Sequence, residues 1–477
     1  MANEQSNISS VAISLSRKKK LAVQIGCVCM MLSVAMIGLS LSVLQGPILT
    51  KMNAMNYFSL LTIFASLGLS IMTPIGGKLG DLFGRRNIVV IAGVIATICG
   101  VGLGIVKTVI PFMVLRLLLG AAQGAFTAAP FIIVREINEP KDVPKGMGIL
   151  SSSIAVGGFV GSIIAGALTD LGYLNLAIMF PIIPLIIGVA LIGFNMPNKV
   201  RQDKVNIDKP GIITLTIVLS AFLLSMNYGG KIGWGNPYIL AGFVITFLSV
   251  VVLVKIEKRA AEPIIPMHLF TNKHYCALLL VGFIAYFYQS TMNVYAPLAV
   301  QKVLNASTTA SGALQLPRTI IVMIFPTIAG IWVGKQKDNS WKAMAIAMIA
   351  IILCFAPLSF TTKSTSILLY IVAITLTGIS ESFRAVSVTP TAQTTLASRD
   401  LGIGTSLVTF VNSLASLFSA AISGIIFDAN ASSINTAVNS IFLTTTVITI
   451  AGLLVVLFVV RKHMQNKIKD NSLNTSV

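Results

Sequence analysis

The sequence predicts an all-α polytopic membrane protein, and three observations carry that prediction. Only 10% of its 477 residues are charged and 55% are hydrophobic, whereas a soluble chain carries about 25% charged residues. The charges are gathered into short clusters separated by apolar runs of about 20 residues, the length of helix that crosses a bilayer. Lys and Arg collect in alternate clusters, as they do in loops on one face of a membrane. A net charge of +19 would suggest nucleic acid in a soluble protein. Here the bias of cations toward cytoplasmic loops accounts for it, and no nucleic-acid partner is expected.

Taken in order, the chain opens with a polar tail (1–20) that ends in Arg17-Lys18-Lys19-Lys20. The apolar run that follows, 21–45, is longer than a signal-peptide core and has many spans behind it. It reads as an uncleaved first span with its amino end in the cytoplasm. Further runs lie near 57–76, 88–106, 110–133, 147–168, 174–194, 211–228, 238–254, 275–298, 311–333, 343–360, 366–392, 403–426 and 438–460. Fourteen spans place both termini on the cytoplasmic face. On that topology 26 of the 34 Lys and Arg residues lie in cytoplasmic tails and loops, five in outer loops and three inside spans. Removing or merging one span would destroy this asymmetry.

Two blocks of six spans, 21–194 and 274–460, flank a pair of helices. That pair sits within a more polar middle segment, 195–273, and residues 461–477 form a second tail. The five cysteines, Cys27, Cys29, Cys99, Cys276 and Cys354, all fall in apolar runs with no C-x-x-C pair, so buried free thiols are expected. His268, His274 and His463 lack metal-ligand spacing, and no G-x-x-x-x-G-K-[ST] phosphate loop occurs. No metal, no cofactor and no direct drive by ATP are therefore expected.

Between the second and third runs stands Gly77-Lys78-Leu79-Gly80-Asp81-Leu82-Phe83-Gly84-Arg85-Arg86, read as a short charged turn in water. Its G-x-x-x-D-x-x-G-R-R pattern resembles the signature loop of the major facilitator superfamily. A weaker echo, Gly330-Ile331-Trp332-Val333-Gly334-Lys335, follows the tenth run, with Gly334 where the aspartate stood. Arg116-Leu117-Leu118-Leu119-Gly120-Ala121-Ala122-Gln123-Gly124 looks like the family's R-x-x-x-G-x-x-x-G motif. Asp208-Lys209-Pro210-Gly211 and Glu262-Pro263-Ile264-Ile265-Pro266 look like the fourteen-span drug:proton antiporter branch. The resemblance spans nearly the whole chain. It implies the major facilitator fold as 6 + 2 + 6 helices, with a substrate site near the midplane between halves that alternate in access. It also implies a gating role for the charged loop, with Gly77, Gly80 and Gly84 allowing close approach and a tight turn beside Asp81, Arg85 and Arg86.

Two departures matter. The first span reads Ser40-Leu41-Ser42-Val43-Leu44-Gln45-Gly46-Pro47, without the acid that many drug exporters carry there. The fifth span carries only a partial antiporter motif, with Ser162 in place of proline and Ala165 in place of glycine. Gly157, Gly161 and Gly166 still permit close helix packing.

A charge within the membrane is costly, so each one is a functional hypothesis. Glu381 and Arg384 are three apart and share a helix face. They form either a self-neutralising structural pair or a proton-carrying carboxylate with its counter-ion. Arg116 matches the arginine associated in the family with proton coupling; a pin on backbone carbonyls is the plainer alternative. Arg318 either lines the substrate cavity or snorkels. Gln289 and Asn293, with Tyr286 and Tyr295, either line that cavity or pack between helices, and Gln45 joins the cavity candidates. Three intramembrane arginines against one glutamate suit an organic anion. The acid-free first span ending in Gly-Pro, with Asp208-Lys209-Pro210-Gly211 and Gly233-Trp234, faintly resembles bacterial bile-acid transporters. The expectation is a bacterial plasma-membrane transporter rather than an enzyme. It would act as a monomer among lipids, with a small amphipathic organic solute and protons as partners. Multidrug efflux is the alternative. A non-transporting sensor is remote, since no extramembrane segment is long enough for a signalling domain.

Overall fold

The computed structural model describes residues 15–139, 143–197, 208–260, 263, 265, 267–336, 338–396, 401–430 and 432–465. The expected tails up to 14 and from 466, the linker 198–207, and Glu262, Ile264 and Pro266 lie outside the described residues. So do the side chains of Lys78 and Asp81. Among the described residues every regular element is helical. Among the described residues fourteen segments are long and apolar enough to cross a membrane, at the places expected.

In chain order the helices are α1 (Arg17–Lys51), α2 (Phe58–Phe83), α3 (Arg85–Ile105), α4 (Val109–Thr127), α5 (Ala129–Ile137), α6 (Val143–Asp170), α7 (Leu174–Met179) and α8 (Ile182–Asn195). The inserted pair is α9 (Lys209–Ile232) and α10 (Pro237–Glu257). There follow α11 (Lys273–Ser290), α12 (Ala296–Lys302), α13 (Thr308–Ala313), α14 (Leu316–Lys335), α15 (Asn339–Leu358), α16 (Ile367–Gln393), α17 (Leu401–Ala429) and α18 (Ile434–Val455).

Among the described residues five spans are interrupted; the last, after α18, by a π turn at Val456–Val460, and the other four each beside a proline. Pro130 sits in the first turn of α5, Pro181 separates α7 from α8, and Pro317 sits in the first turn of α14. A π turn, Thr291–Tyr295, joins α11 to α12 just before Pro297. Proline has no N–H to donate to the preceding turn, so the helical ladder is interrupted there and resumes one turn later.

The charged turn expected over ten residues shrinks to one. α2 runs on through Gly77 and Gly80 to Phe83, α3 begins at Arg85, and Gly84 alone stands between them at φ 86. Helical hydrogen bonding continues until a residue adopts the left-handed region, which glycine enters without steric cost. The glycines of close approach are therefore others. A side chain on Gly68 or Gly76 would strike the backbone of α4 at Leu117 and Ala125. One on Gly120 would come to 2.6 Å from Ala65 O, and one on Gly124 to 2.5 Å from Leu69 O. The backbones of α2 and α4 touch along this seam.

The chain packs into two units. The first comprises the chain up to Ile212 with Ser307–Ala313, and the second Ile213–Ala306 with Leu314 onward. In the first unit α1 lies against α6 and α8, α3 against α4 and α8, and α13 against α6. Added side chains on Gly157 and Gly161 would meet Leu32 and Met36 of α1, and one on Gly166 would meet Thr308 and Thr309 of α13. Asp170, at the end of α6, accepts from Thr308 N at 3.0 Å and from Thr309 N at 2.8 Å. In the second unit an aromatic core joins α11, α15, α16 and α18. Tyr288 stands 6.2 Å from Phe355, and Phe442 lies 5.7 Å from Phe355 and 6.3 Å from Tyr370. The inserted pair docks through Phe222, whose ring is 5.1 Å from Phe418 of α17. All five cysteines are free. Cys27, Cys99 and Cys354 are buried as expected, while Cys29 and Cys276 are half-buried.

Candidate substrate and proton site

The second unit gathers a polar cluster inside its apolar helices. α16 supplies Thr377, Ser380, Glu381 and Arg384, spaced so that one face of the helix carries all four. α11 supplies Tyr286, Tyr288 and Gln289. The π turn at Thr291–Tyr295 supplies Asn293, Gln315 precedes α14, and Arg318 sits in its first turn.

Glu381 is the hub. Arg384 Nη2 donates to Oε1 at 2.5 Å, and Arg384 Nε donates to Oε2 at 3.3 Å. Tyr288 OH also donates to Oε2, at 3.3 Å. The pair expected from the i, i+3 spacing is therefore formed, and a tyrosine joins it from another helix. The guanidinium of Arg384 lies 4.7 Å from the centroid of the Tyr286 ring, a cation–π contact that holds the side chain in place without neutralising it. Arg318 donates through Nε to Thr377 Oγ1 at 3.0 Å and bears electrostatically on Glu381. The cluster thus holds two guanidinium groups and one carboxylate, and of the two arginines Arg384 alone is bonded to Glu381.

Beside this charged group runs a ladder of amides. Gln315 Nε2 donates to Asn293 Oδ1 at 3.2 Å, and Asn293 Nδ2 reaches Gln289 Oε1 at 3.5 Å. Gln315 Oε1 and the hydroxyls of Ser380 and Ser290 are buried without a hydrogen-bond partner. A buried polar atom left unpaired costs about 1–3 kcal/mol, so this cluster holds unused hydrogen-bonding capacity. Glu381, Arg384, Arg318, Gln289 and Asn293 are brought together. Tyr295 is buried and turned to the Phe427 ring, 5.8 Å away.

The remaining expected residues belong to the first unit. The amide of Gln45 is spent on Phe58 O at 2.8 Å and Thr62 Oγ1 at 2.6 Å, which pins α1 to α2; it is 3% exposed. Arg116 is 8% exposed, and among the described residues no hydrogen bond or ion pair reaches it. Arg85 pairs with Glu136, and Arg86 donates through Nε to Gly193 O at 2.8 Å.

Sequence reasoning missed Tyr288, Thr377 and Gln315. Thr377 and Gln315 had a signal, since they lie one helical turn before Glu381 and Arg318 and so share their faces. Tyr288 had none, because only packing brings it to Glu381.

The family model of the Major Facilitator Superfamily matches residues 25–419 and 278–474. An uncharacterized MFS-type transporter of Mycobacterium tuberculosis is 27% identical over 76% of this chain, and the alignment covers 52% of that protein. The chain thus spans about half the length of that relative. The multidrug transporter protein MdtP of Bacillus subtilis is 25% identical, over 82% of this chain and 72% of the relative. Multidrug resistance protein 3 of the same organism is 24% identical, over 77% and 72%. Among solved structures, the nucleoside transporter NupG superposes with a TM-score of 0.68 at 13% identity, over 92% of this chain and 99% of that one. The peptide transporter POT in complex with sulfate also gives 0.68, at 16% identity, over 93% and 97%. At such identity these two show the fold.

Proposed function

Because this chain belongs to the Major Facilitator Superfamily, as a multi-pass membrane transporter and not an enzyme, we propose that it moves a small amphipathic organic anion in exchange or symport with protons. One observation carries the choice of an anion: the cluster holds two arginines, Arg384 paired with Glu381 and Arg318 bonded to the neutral Thr377, against that one carboxylate. A cluster with surplus positive charge favours a negative solute and disfavours a cation, which would bring a third positive charge into a low-dielectric site. Glu381 is the proton carrier in this reading. Protonating it removes the charge that holds Arg384 and leaves Tyr288 only a neutral, weaker acceptor, so one proton loosens two side chains. Arg116, buried and with no hydrogen bond or ion pair among the described residues, is the proposed partner in coupling. The Gly84 turn with Asp81, Arg85 and Arg86 is the proposed cytoplasmic gate.

A second reading, multidrug efflux, is favoured by the two Bacillus subtilis relatives, a multidrug transporter and a multidrug resistance protein. Labelled cholate, in cells with and without the chain and with a protonophore in parallel, separates the two. Extra accumulation abolished by the protonophore supports proton-coupled uptake of an anion. Lowered accumulation restored by the protonophore supports export. No difference removes bile acids from consideration and leaves the multidrug reading ahead.

A further inference from the structure

The first unit carries a trough on the outer side of the seam between α3 and α8, with a volume of about 500 Å³. Its origin is steric. Side chains on Gly93 and Gly100 would strike Val189 and Ile182, so the two helices approach closely there. Small residues along the seam, Thr97, Ala190 and Gly193, leave a channel between the larger residues on either side. The walls are apolar: Val90, Val94, Ile98 and Ile186, with Ile98 64% exposed. One end is different. Arg86 and Asn87 line it, and Phe194 stands beside them 87% exposed. The hydrogen bond from Arg86 Nε to Gly193 O, at 2.8 Å, holds the guanidinium at that end. Its two terminal nitrogens carry four further N–H donors in a plane, the arrangement that fits a phosphate.

From Arg86 to Ile98 the helix rises about 18 Å. The hydrocarbon of one leaflet is about 15 Å deep, half of a bilayer core. A trough of leaflet depth, apolar along its length and cationic at its loop end, matches the two chemistries of an anionic lipid in the same order. Basic pockets between transmembrane helices are known to take such headgroups. We propose that this trough binds one anionic phospholipid, with its phosphate on Arg86 and Asn87 and one acyl chain along Val90, Val94 and Ile98.

The test is native mass spectrometry of the delipidated full chain in detergent, titrated with phosphatidylglycerol or phosphatidylcholine of identical acyl chains. One phosphatidylglycerol is expected to bind at a concentration at least tenfold lower than phosphatidylcholine. Arg86→Gln is expected to abolish that preference. Ala190→Trp, which fills the trough without touching the headgroup end, is expected to weaken retention tenfold while leaving thermal unfolding unchanged. If Ala190→Trp does not fold, Thr97→Phe blocks the deep end instead and is expected to shift binding toward shorter chains. Equal binding of the two lipids by the parent chain overturns the proposal. So does full retention by the filled variants. Displacement of the lipid by millimolar inorganic phosphate alone would mean a simple ion site. A dimer that forms in place of the lipid adduct would mean that a second copy covers this face. Either result also overturns the proposal.

Discussion

Replacing Glu381 with Gln tests the proposed chemistry most directly. The change keeps the shape of the side chain and removes its charge. Arg384, 8% exposed at its side chain, then faces a neutral amide. Two contacts are affected at once, at 2.5 Å and 3.3 Å. Breaking a buried ion pair by neutralising one member costs about 3–5 kcal/mol. The carboxylate here is 19% exposed, so the lower end, about 3 kcal/mol, is expected for the second unit. The double variant Glu381→Gln with Arg384→Gln leaves no orphaned charge and should recover most of that loss, to within about 1 kcal/mol of the parent. Thermal unfolding in detergent measures the stability terms. In proteoliposomes, Glu381→Gln should retain exchange of labelled for unlabelled substrate, which needs no net proton movement. Concentrative transport driven by a pH gradient should fall at least tenfold. Gradient-driven transport at the parent level, with exchange intact, would remove Glu381 from proton coupling and leave the pair a structural one.

Three further predictions follow from other parts of the molecule. Arg318→Ala removes one of the two guanidinium groups and its bond to Thr377. It should raise the KM for an organic anion at least tenfold and leave that for a cation within threefold in vesicle uptake; equal loss of both would make Arg318 structural. Gly76→Leu puts a side chain into the backbone of α4 at Ala125 and should prevent accumulation of folded protein in the membrane, measured by detergent-resistant monodispersity. Gly77→Leu, where a Cβ meets nothing within 4 Å, should not. Asp338 lies outside the spans, and its carboxyl is held below its ordinary value by the hydrogen bond from Lys342 and a second from the Trp341 indole. A depressed folded value stabilises above the unfolded value, near pH ~3.9, and that stabilisation is lost as pH falls through the folded value. Asp338→Asn should therefore lower the unfolding temperature at neutral pH, with the difference vanishing at the acid end. The half-exposed pair limits the effect to under about 1 kcal/mol.

The fourteen spans were legible because their signal is summed over about 20 residues each, and local errors do not accumulate. The Glu381–Arg384 pair was legible for a different reason. Both partners sit on one helix, where spacing alone dictates proximity. What the chain does not spell out is whatever depends on packing. Gln45 looks from the sequence like a cavity residue, because a polar group in an apolar run must bond to something. The chain alone does not say that Phe58 and Thr62 are that something. Gly77 and Gly76 are adjacent and chemically identical, yet only Gly76 meets α4, since a single residue step turns the helix by about 100°. The π turn at Thr291–Tyr295 left only Pro297 as a trace, and it is this turn that carries Asn293, the partner of Gln315.

The glycine seam between α2 and α4 constrains how this protein can move. Where backbones touch, there are no side chains to flex and take up small displacements. Gly120 and Gly124 are one turn apart, so the seam has the pitch of the helix itself, about 5.4 Å. A shift of α4 along α2 by less than that pitch would drive a side chain of one helix into the main chain of the other. Intermediate positions are sterically barred, and the two helices are left with one register or a whole-turn jump. A transport cycle built from small rearrangements therefore has to carry α2 and α4 as a single rigid rod. Compliance must reside in the proline-broken spans, where the ladder of hydrogen bonds is already interrupted.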